Sequence, residues 1–178
     1  MKTIDTVHGA IMLDDNDFYA IALLGFRVYA KKQTEDYCRA MVRTSSYKGE
    51  SFSIILSRFL LGVTRPEVVV DHADRNPLNN QRSNLRLCTQ FENSKNARKK
   101  KGCSSQYKGV YRLESRKKWG AVLYHLGGQR NLGYFETEIE AAQAYNKKAL
   151  EVFGEFAFQN EIIPALSVNG DDHQGVVQ

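Results

Sequence analysis

The stretch VVVDHADRNPLNNQRSNLRLCTQFENSKN, residues 68–96, decides how this chain is read. An apolar strand over residues 67–71 runs into Asp71 and His72. A polar loop with Asn76, Asn79 and Asn80 follows, then a short strand over residues 86–88. Thr89 with Glu92 three positions on is a capping box, which opens a helix over residues 89–96. If the two strands pair, the helix packs across the hairpin and Asp71 and His72 sit at its mouth. An imidazole near neutral pH can take a proton from water. A carboxylate joined by an amide oxygen can hold a hard divalent cation such as Mg²⁺. Base and cation together suit hydrolysis of a phosphodiester. The residues alone leave a second reading open. An Asp-His pair at a strand end also caps turns, and Asn is favoured in turns for its backbone-mimicking side chain.

The same residues, in order and spacing, closely resemble the HNH endonuclease motif in the form found in phage homing endonucleases. The resemblance implies a ββα-metal fold, a hairpin and a helix around one divalent ion. It implies that His72 is the general base and that Asp71 and Asn93 are the metal ligands. Asn84, in Ser-Asn-Leu-Arg, becomes the catalytic-motif residue that orients the histidine or the loop. Mg²⁺ is the implied metal, with Mn²⁺ able to substitute. Asn76, Asn79 and Asn80 read as turn formers. Two positions depart from the family pattern. Asn93 stands where many relatives have His, and Ser57, in SIILSRFLLG, stands where many carry a His before the Arg. The alternative to a working nuclease is therefore an inactive relative that binds DNA in a regulatory role.

Outward from the motif, the chain reads as α+β. Residues 7–13 form a strand and residues 14–18 open a short helix. Residues 26–32 and 37–43 alternate as two strands, and residues 51–62 have helical apolar spacing. With residues 1–66 completing it, the nuclease module spans 1–96, its HNH motif being 67–96. Cys38, Cys88 and Cys103 are odd in number and form no CxxC pair, which argues against a disulfide framework and a zinc site. No apolar run approaches the roughly 20 residues of a membrane helix. MKTIDTVHGA lacks the layout of a signal peptide. The expectation is a cytoplasmic protein without membrane contact, in a bacterial host cell if phage-encoded.

Charge is concentrated. Residues 95–133 hold eleven Lys and Arg against one Glu, whereas residues 134–178 hold two Lys against eight acids. Such a basic block is the footprint of a polyanion, most often nucleic acid. Residues 97–106 form a basic linker, and Lys95 just before it with Arg98, Lys99, Lys100 and Lys101 within it are placed to track a phosphate backbone.

Beyond the linker, residues 107–114, 118–127 and 129–135 are strand candidates, and residues 137–154 are the clearest helix. Thr137 and Glu140 form its capping box, and Ala142, Tyr145, Ala149 and Val152 its apolar stripe. Alternation sends Trp119, Ala121 and Leu123 toward that helix. Residues 107–160 resemble the Apetala2-type DNA-binding domain of ethylene-response factors. The landmarks are YKGV at 107–110, KW at 118–119, LGYF at 132–135, EAAQAY at 140–145 and FG at 153–154. This implies a three-stranded antiparallel sheet packed on one helix, with an open face that reads double-stranded DNA. By match, Lys108, Tyr111, Leu113, Val122, Tyr124, Gln129 and Asn131 face outward. Arg112, Arg116, Lys117, Lys118 and Arg130 supply phosphate contacts. Residues 161–178 read as a poorly ordered tail, and a monomer on DNA is the expected form.

Overall fold

The computed structural model describes residues 1–35, 37–44, 50–97, 99 and 102–162. It is a mixed α and β structure with small sheets. The chain divides into two compact units. One is Met1–Arg98 with Leu150–Phe158; the other is Lys99–Ala149 with the residues from Gln159.

In the first unit, β1 (Lys2–Thr6) and β2 (Gly9–Leu13) form an antiparallel hairpin. β2 turns Ile11 and Leu13 inward, both fully buried. β1 has no counterpart among the sequence expectations, because Ile4 is its single large apolar residue. Helix α1 (Asp15–Leu23) follows. Asp14 precedes it in extended conformation but does not cap it. Its carboxylate instead accepts from the Arg82 backbone N–H at 2.8 Å. Asp17 takes a paired contact from Arg82 Nε and Nη2, each at 2.8 Å. The start of α1 is thus tied to the far side of the loop that follows His72.

β3 (Arg27–Thr34), β4 (Tyr37–Arg43) and β5 (Ser53–Ile55) make an antiparallel sheet in that order. Helix α2 (Leu56–Leu60) comes directly after. The expected helix over residues 51–62 is therefore shorter. Its first part is strand, since Ile54 and Ile55 pair with Val42 and Met41. β-branched side chains suit a pleated surface, and a short apolar run has no period that separates strand from helix.

β6 (Val69–His72) and β7 (Leu85–Cys88) pair antiparallel, with Asp71 opposite Arg86 and His72 opposite Leu85. Helix α3 (Gln90–Asn96) carries the complete Thr89–Glu92 capping box. The loop between β6 and β7 is stitched to β2: Met12 N–H donates to Leu78 O at 2.8 Å, and Asn80 N–H donates to Met12 O at 2.9 Å. Ile11, Leu13, Ile21, Ala40, Val42, Leu56, Leu60 and Leu85 form one core. That core draws on both sheets of the N-terminal region, both helices and β7, so the hairpin behind His72 has a rigid backing.

The second unit holds β8 (Val110–Leu113), β9 (Lys118–His125) and β10 (Gly128–Phe135), ordered β10-β9-β8 and antiparallel. Helix α4 (Glu138–Phe153) contributes its residues as far as Ala149 to this unit. Val110, Ala121, Ala141 and Ala142 form the core, with Tyr107, Trp119, Leu132 and Phe135 packed on it. Gly109 sits at φ +75, and a Cβ there would come 2.1 Å from the Tyr145 ring. Asn160 closes the unit by accepting from Lys108 N–H at 2.7 Å and donating to Lys108 O at 3.1 Å.

Candidate active site

Strand β6 ends where its side chains meet a cleft of about 810 Å³. Asp71, His72, Arg75, Asn93 and Asn96 line it from the hairpin and α3, and Tyr37, Cys38 and Arg39 from β4. Asp71 is buried. Its Oδ2 accepts from Arg86 Nε at 2.9 Å and Arg86 Nη2 at 2.6 Å. The Asn96 amide donates to both carboxylate oxygens, at 3.1 and 3.0 Å, and to the His72 carbonyl at 3.1 Å. A buried carboxylate needs such hydrogen-bond and ionic partners.

Among the described residues the buried His72 Nε2 has no hydrogen-bond partner, and neither has the buried Asn80 Oδ1. Burial pushes the imidazole below its ordinary pKa. The Asn80 amide and the carboxylates of Asp74 and Asp71 pull the other way without overcoming burial, and Arg39 adds to the lowering. His72 is therefore neutral at pH 7, the form that accepts a proton. A smaller cavity of about 140 Å³, lined by Ser57, Arg58 and Asn80 among others, also reaches His72.

The loop after His72 is organised by Asp74 and Asn84. Asn84 Oδ1 accepts from Asp74 N–H at 3.0 Å, and its amide donates to Asp74 Oδ1 at 2.9 Å and Asn79 O at 2.8 Å. Asp74 also accepts from Asn76 N–H at 2.8 Å and the Asn79 amide at 2.7 Å. Burial raises the Asp74 carboxyl, but these hydrogen bonds outweigh it and hold the pKa below the ordinary value.

A family model described as HNH endonuclease matches residues 63–95, the segment that carries this hairpin and helix. A protein named as an uncharacterised HNH endonuclease in Acanthamoeba polyphaga mimivirus is 41% identical over 108 residues, 61% of this chain and 55% of that protein. Protein 3.8 of Escherichia phage T7 is 34% identical over 88 residues, 49% of this chain and 72% of that protein. Residues 63–95 are an HNH endonuclease domain. The chain spans about half the length of the mimivirus HNH protein. No solved structure matches the chain significantly.

Of the residues singled out from the HNH motif, Asp71, His72 and Asn93 share the cleft wall, whereas Asn84 is buried in the loop behind it. The side chain of Asn84 hydrogen-bonds Asp74 and Asn79 and so braces the loop. Asn76 and Asn79 bond within the turn, as their side chains favour. Asn80 does more than form a turn: it is 1% exposed and stands beside His72. Ser57 is buried on α2, so no exposed grip on DNA was available at that position. Reading the HNH sequence missed Arg86 and Asn96. Their signal was present, since Arg86 falls opposite Asp71 once the two strands are paired, and Asn96 lies one helical turn beyond Asn93.

The HNH residues present fit a hard cation that keeps most of its water. Asp71 and Asn93 offer a carboxylate and an amide oxygen, and the Asn93 side chain has no partner among the described residues. No group of three or more His, Cys, Asp or Glu gathers among the described residues.

The residues expected to touch DNA fall in several places. Lys95 is on α3, with its Nζ 4.2 Å from the Phe91 ring. Lys99 is half-buried, while Arg98, Lys100 and Lys101 lie outside the described residues. In the second unit, the β10–β9 register puts Gln129 opposite Tyr124 and Tyr134 opposite Gly120. The Tyr111 ring lies over Gly120, where a Cβ would clash at 2.3 Å. Tyr124 Oη donates to Gln129 Oε1 at 3.1 Å, and the Asn131 amide donates to Tyr134 Oη at 3.0 Å. Tyr111, Tyr124, Gln129 and Asn131 thus share one sheet face, joined by Tyr134, which the sequence reading did not include. Lys108 is in the turn before β8, and Arg116 lies 5.4 Å from the Tyr134 ring. Arg112 and Arg130 alternate to the other face, with Arg112 5.0 Å from the Trp119 ring. Val122, expected outward, is buried and cannot present its side chain to a partner.

Proposed function

We propose that the chain is a metal-dependent DNA endonuclease of the homing type, with a ββα-metal site in the first unit and an Apetala2-type module in the second. The observation that carries it is His72: a neutral imidazole with no hydrogen bond to its Nε2 among the described residues, on the wall of a cleft shared with Asp71 and Asn93. His72 takes the proton of a water molecule that attacks the scissile phosphorus of double-stranded DNA. A phosphorus–oxygen ester bond then breaks, and its electron pair leaves with the departing sugar oxygen. Asp71 and Asn93 would hold Mg²⁺, or Mn²⁺ in its place, which supplies stabilisation for charge on the phosphate and leaving oxygens. Arg86 and Asn96 fix the Asp71 carboxylate before substrate arrives. Asp74 and Asn84 fix the loop that carries His72 away from solvent.

In the second unit, Tyr111, Tyr124, Gln129 and Asn131 form the face that meets DNA bases. Lys108 and Arg116 beside it hold phosphates, joined by Arg112 and Arg130 from the opposite face of the two outer strands. One site per chain makes nicking by a monomer in the cytoplasm the simplest form of the activity. Among the described residues, no helix is long and apolar enough to cross a membrane.

The test is nicking of supercoiled plasmid pools that carry genomic DNA of candidate hosts, with Mg²⁺ or Mn²⁺. Nicks at fixed sites that vanish in EDTA are expected. Tight binding without cleavage in either metal would refute the nuclease reading and leave a DNA-binding protein.

A further inference from the structure

Asp71 is held from a distant part of the chain. Arg86, which grips its Oδ2, is itself enclosed by residues some seventy positions on. The guanidinium lies 4.4 Å from the Phe156 ring. Its Nη1 donates to the Glu155 backbone carbonyl and lies 3.8 Å from the Glu155 carboxylate. The same segment places Phe158 4.4 Å from the Arg75 guanidinium and Phe153 5.3 Å from Lys95 Nζ. Leu150–Phe158 belongs to the same compact unit as the HNH hairpin. All three phenylalanines are half-buried, and none joins the apolar core of either unit. Each instead offers its ring to a cation, attracted by the negative face of the ring; of these cations Arg75 lines the cleft and Arg86 reaches it through Asp71.

We propose that Phe153, Glu155, Phe156 and Phe158 form a strap that completes the nuclease site, with Glu155 and Phe156 as positioning residues for Arg86 and, through it, for Asp71. The inference rests on the nuclease reading above. Oδ2 accepts twice from Arg86 and once from Asn96, whereas among the described residues Oδ1 accepts only from Asn96. That asymmetry leaves Oδ1 as the oxygen with fewer partners, the one that would take a cation. Without the strap, the long Arg86 side chain regains rotamers and the carboxylate loses its fixed orientation. Outer partners of metal ligands typically carry tenfold or more in affinity or activity.

The experiment uses the full-length, isotope-labelled protein and its Phe156→Ala, Phe156→Leu and Phe156→Tyr variants. The first readout is solvent exchange of the Arg86 Nε–H and of the Asn96 side-chain amide, which touches Asp71 and not Phe156. Exchange about tenfold faster in Phe156→Ala, with wild-type rates in Phe156→Tyr, is expected. Unchanged rates at both groups would overturn the strap. Phe156→Leu keeps the apolar volume without the ring face and serves where the alanine variant fails to fold. The second readout is the Mg²⁺ concentration for half-maximal nicking, expected to rise about tenfold in Phe156→Ala, while DNA affinity in EDTA stays unchanged. An unshifted Mg²⁺ requirement would overturn the positioning role. A wild-type protein that nicks no DNA, yet shows the exchange pattern, would refute the nuclease reading and leave the strap standing.

Discussion

His72 carries the chemistry in this account, and its environment sets a pH signature. Burial places its folded pKa below the ordinary value of 6.5. The base form is therefore complete above that value, and the cleavage rate falls only as pH drops through the lowered one. A pH–rate profile under single-turnover conditions should show an acid limb with its midpoint below 6.5; a midpoint above it would remove burial as the controlling effect. Asp74 has the same sign. Its carboxylate is stabilised in the fold, so its contribution is complete at neutral pH and lost as acid protonates it. Asn84 satisfies three polar groups of this loop at once. Asn84→Ala should cost about 1 kcal/mol in chemical denaturation, because it removes three hydrogen bonds to part-buried groups of Asp74 and Asn79. Asp71, His72 and Asn93 were legible as a set because their spacing is that of a known motif. Arg86, Asn96 and Asn80 were not, because the partner of a buried carboxylate is fixed by strand register and not by sequence neighbours.

At the level of elements, the strongest local signals produced the expected structure. The Thr89–Glu92 box caps α3, and the Thr137–Glu140 pair makes both of its hydrogen bonds at the start of α4, each at 3.2 Å. Thr89→Ala should lower stability by about 1 kcal/mol, read from thermal or chemical melting. β5 was hidden because Ile54 and Ile55 fit a helix face as well as a strand, and only pairing with β4 decides between them. In the second unit the decisive position is Gly109, whose φ of +75 and contact with Tyr145 both exclude a side chain. Gly109→Ala should destabilise this unit by about 2 kcal/mol or more, with Tyr145 fluorescence as the local probe. A neutral effect would mean that the α4 contact is looser than the geometry says. Burial also pushes the Tyr145 hydroxyl up to about 12, consistent with a ring enclosed at this contact.

Across the whole molecule, the boundary between the two units is less simple than linear reading implied. Residues 150–158 lie far along the chain yet belong to the first unit. A chain cut before residue 107 should therefore lose catalytic rate as well as affinity. Binding should also weaken steeply with salt. Neutralising about five phosphates gives a log–log slope near −4 to −5 between roughly 50 and 200 mM salt, measurable by fluorescence anisotropy. A slope near zero would contradict the basic block from Lys95 onward as a backbone contact. The most direct test of the central claim is single-turnover cleavage of a mapped site by wild type and His72→Ala in Mg²⁺, with DNA affinity measured in EDTA. The mutant should lose about a hundredfold or more in rate and keep its affinity; equal rates would take His72 out of the mechanism.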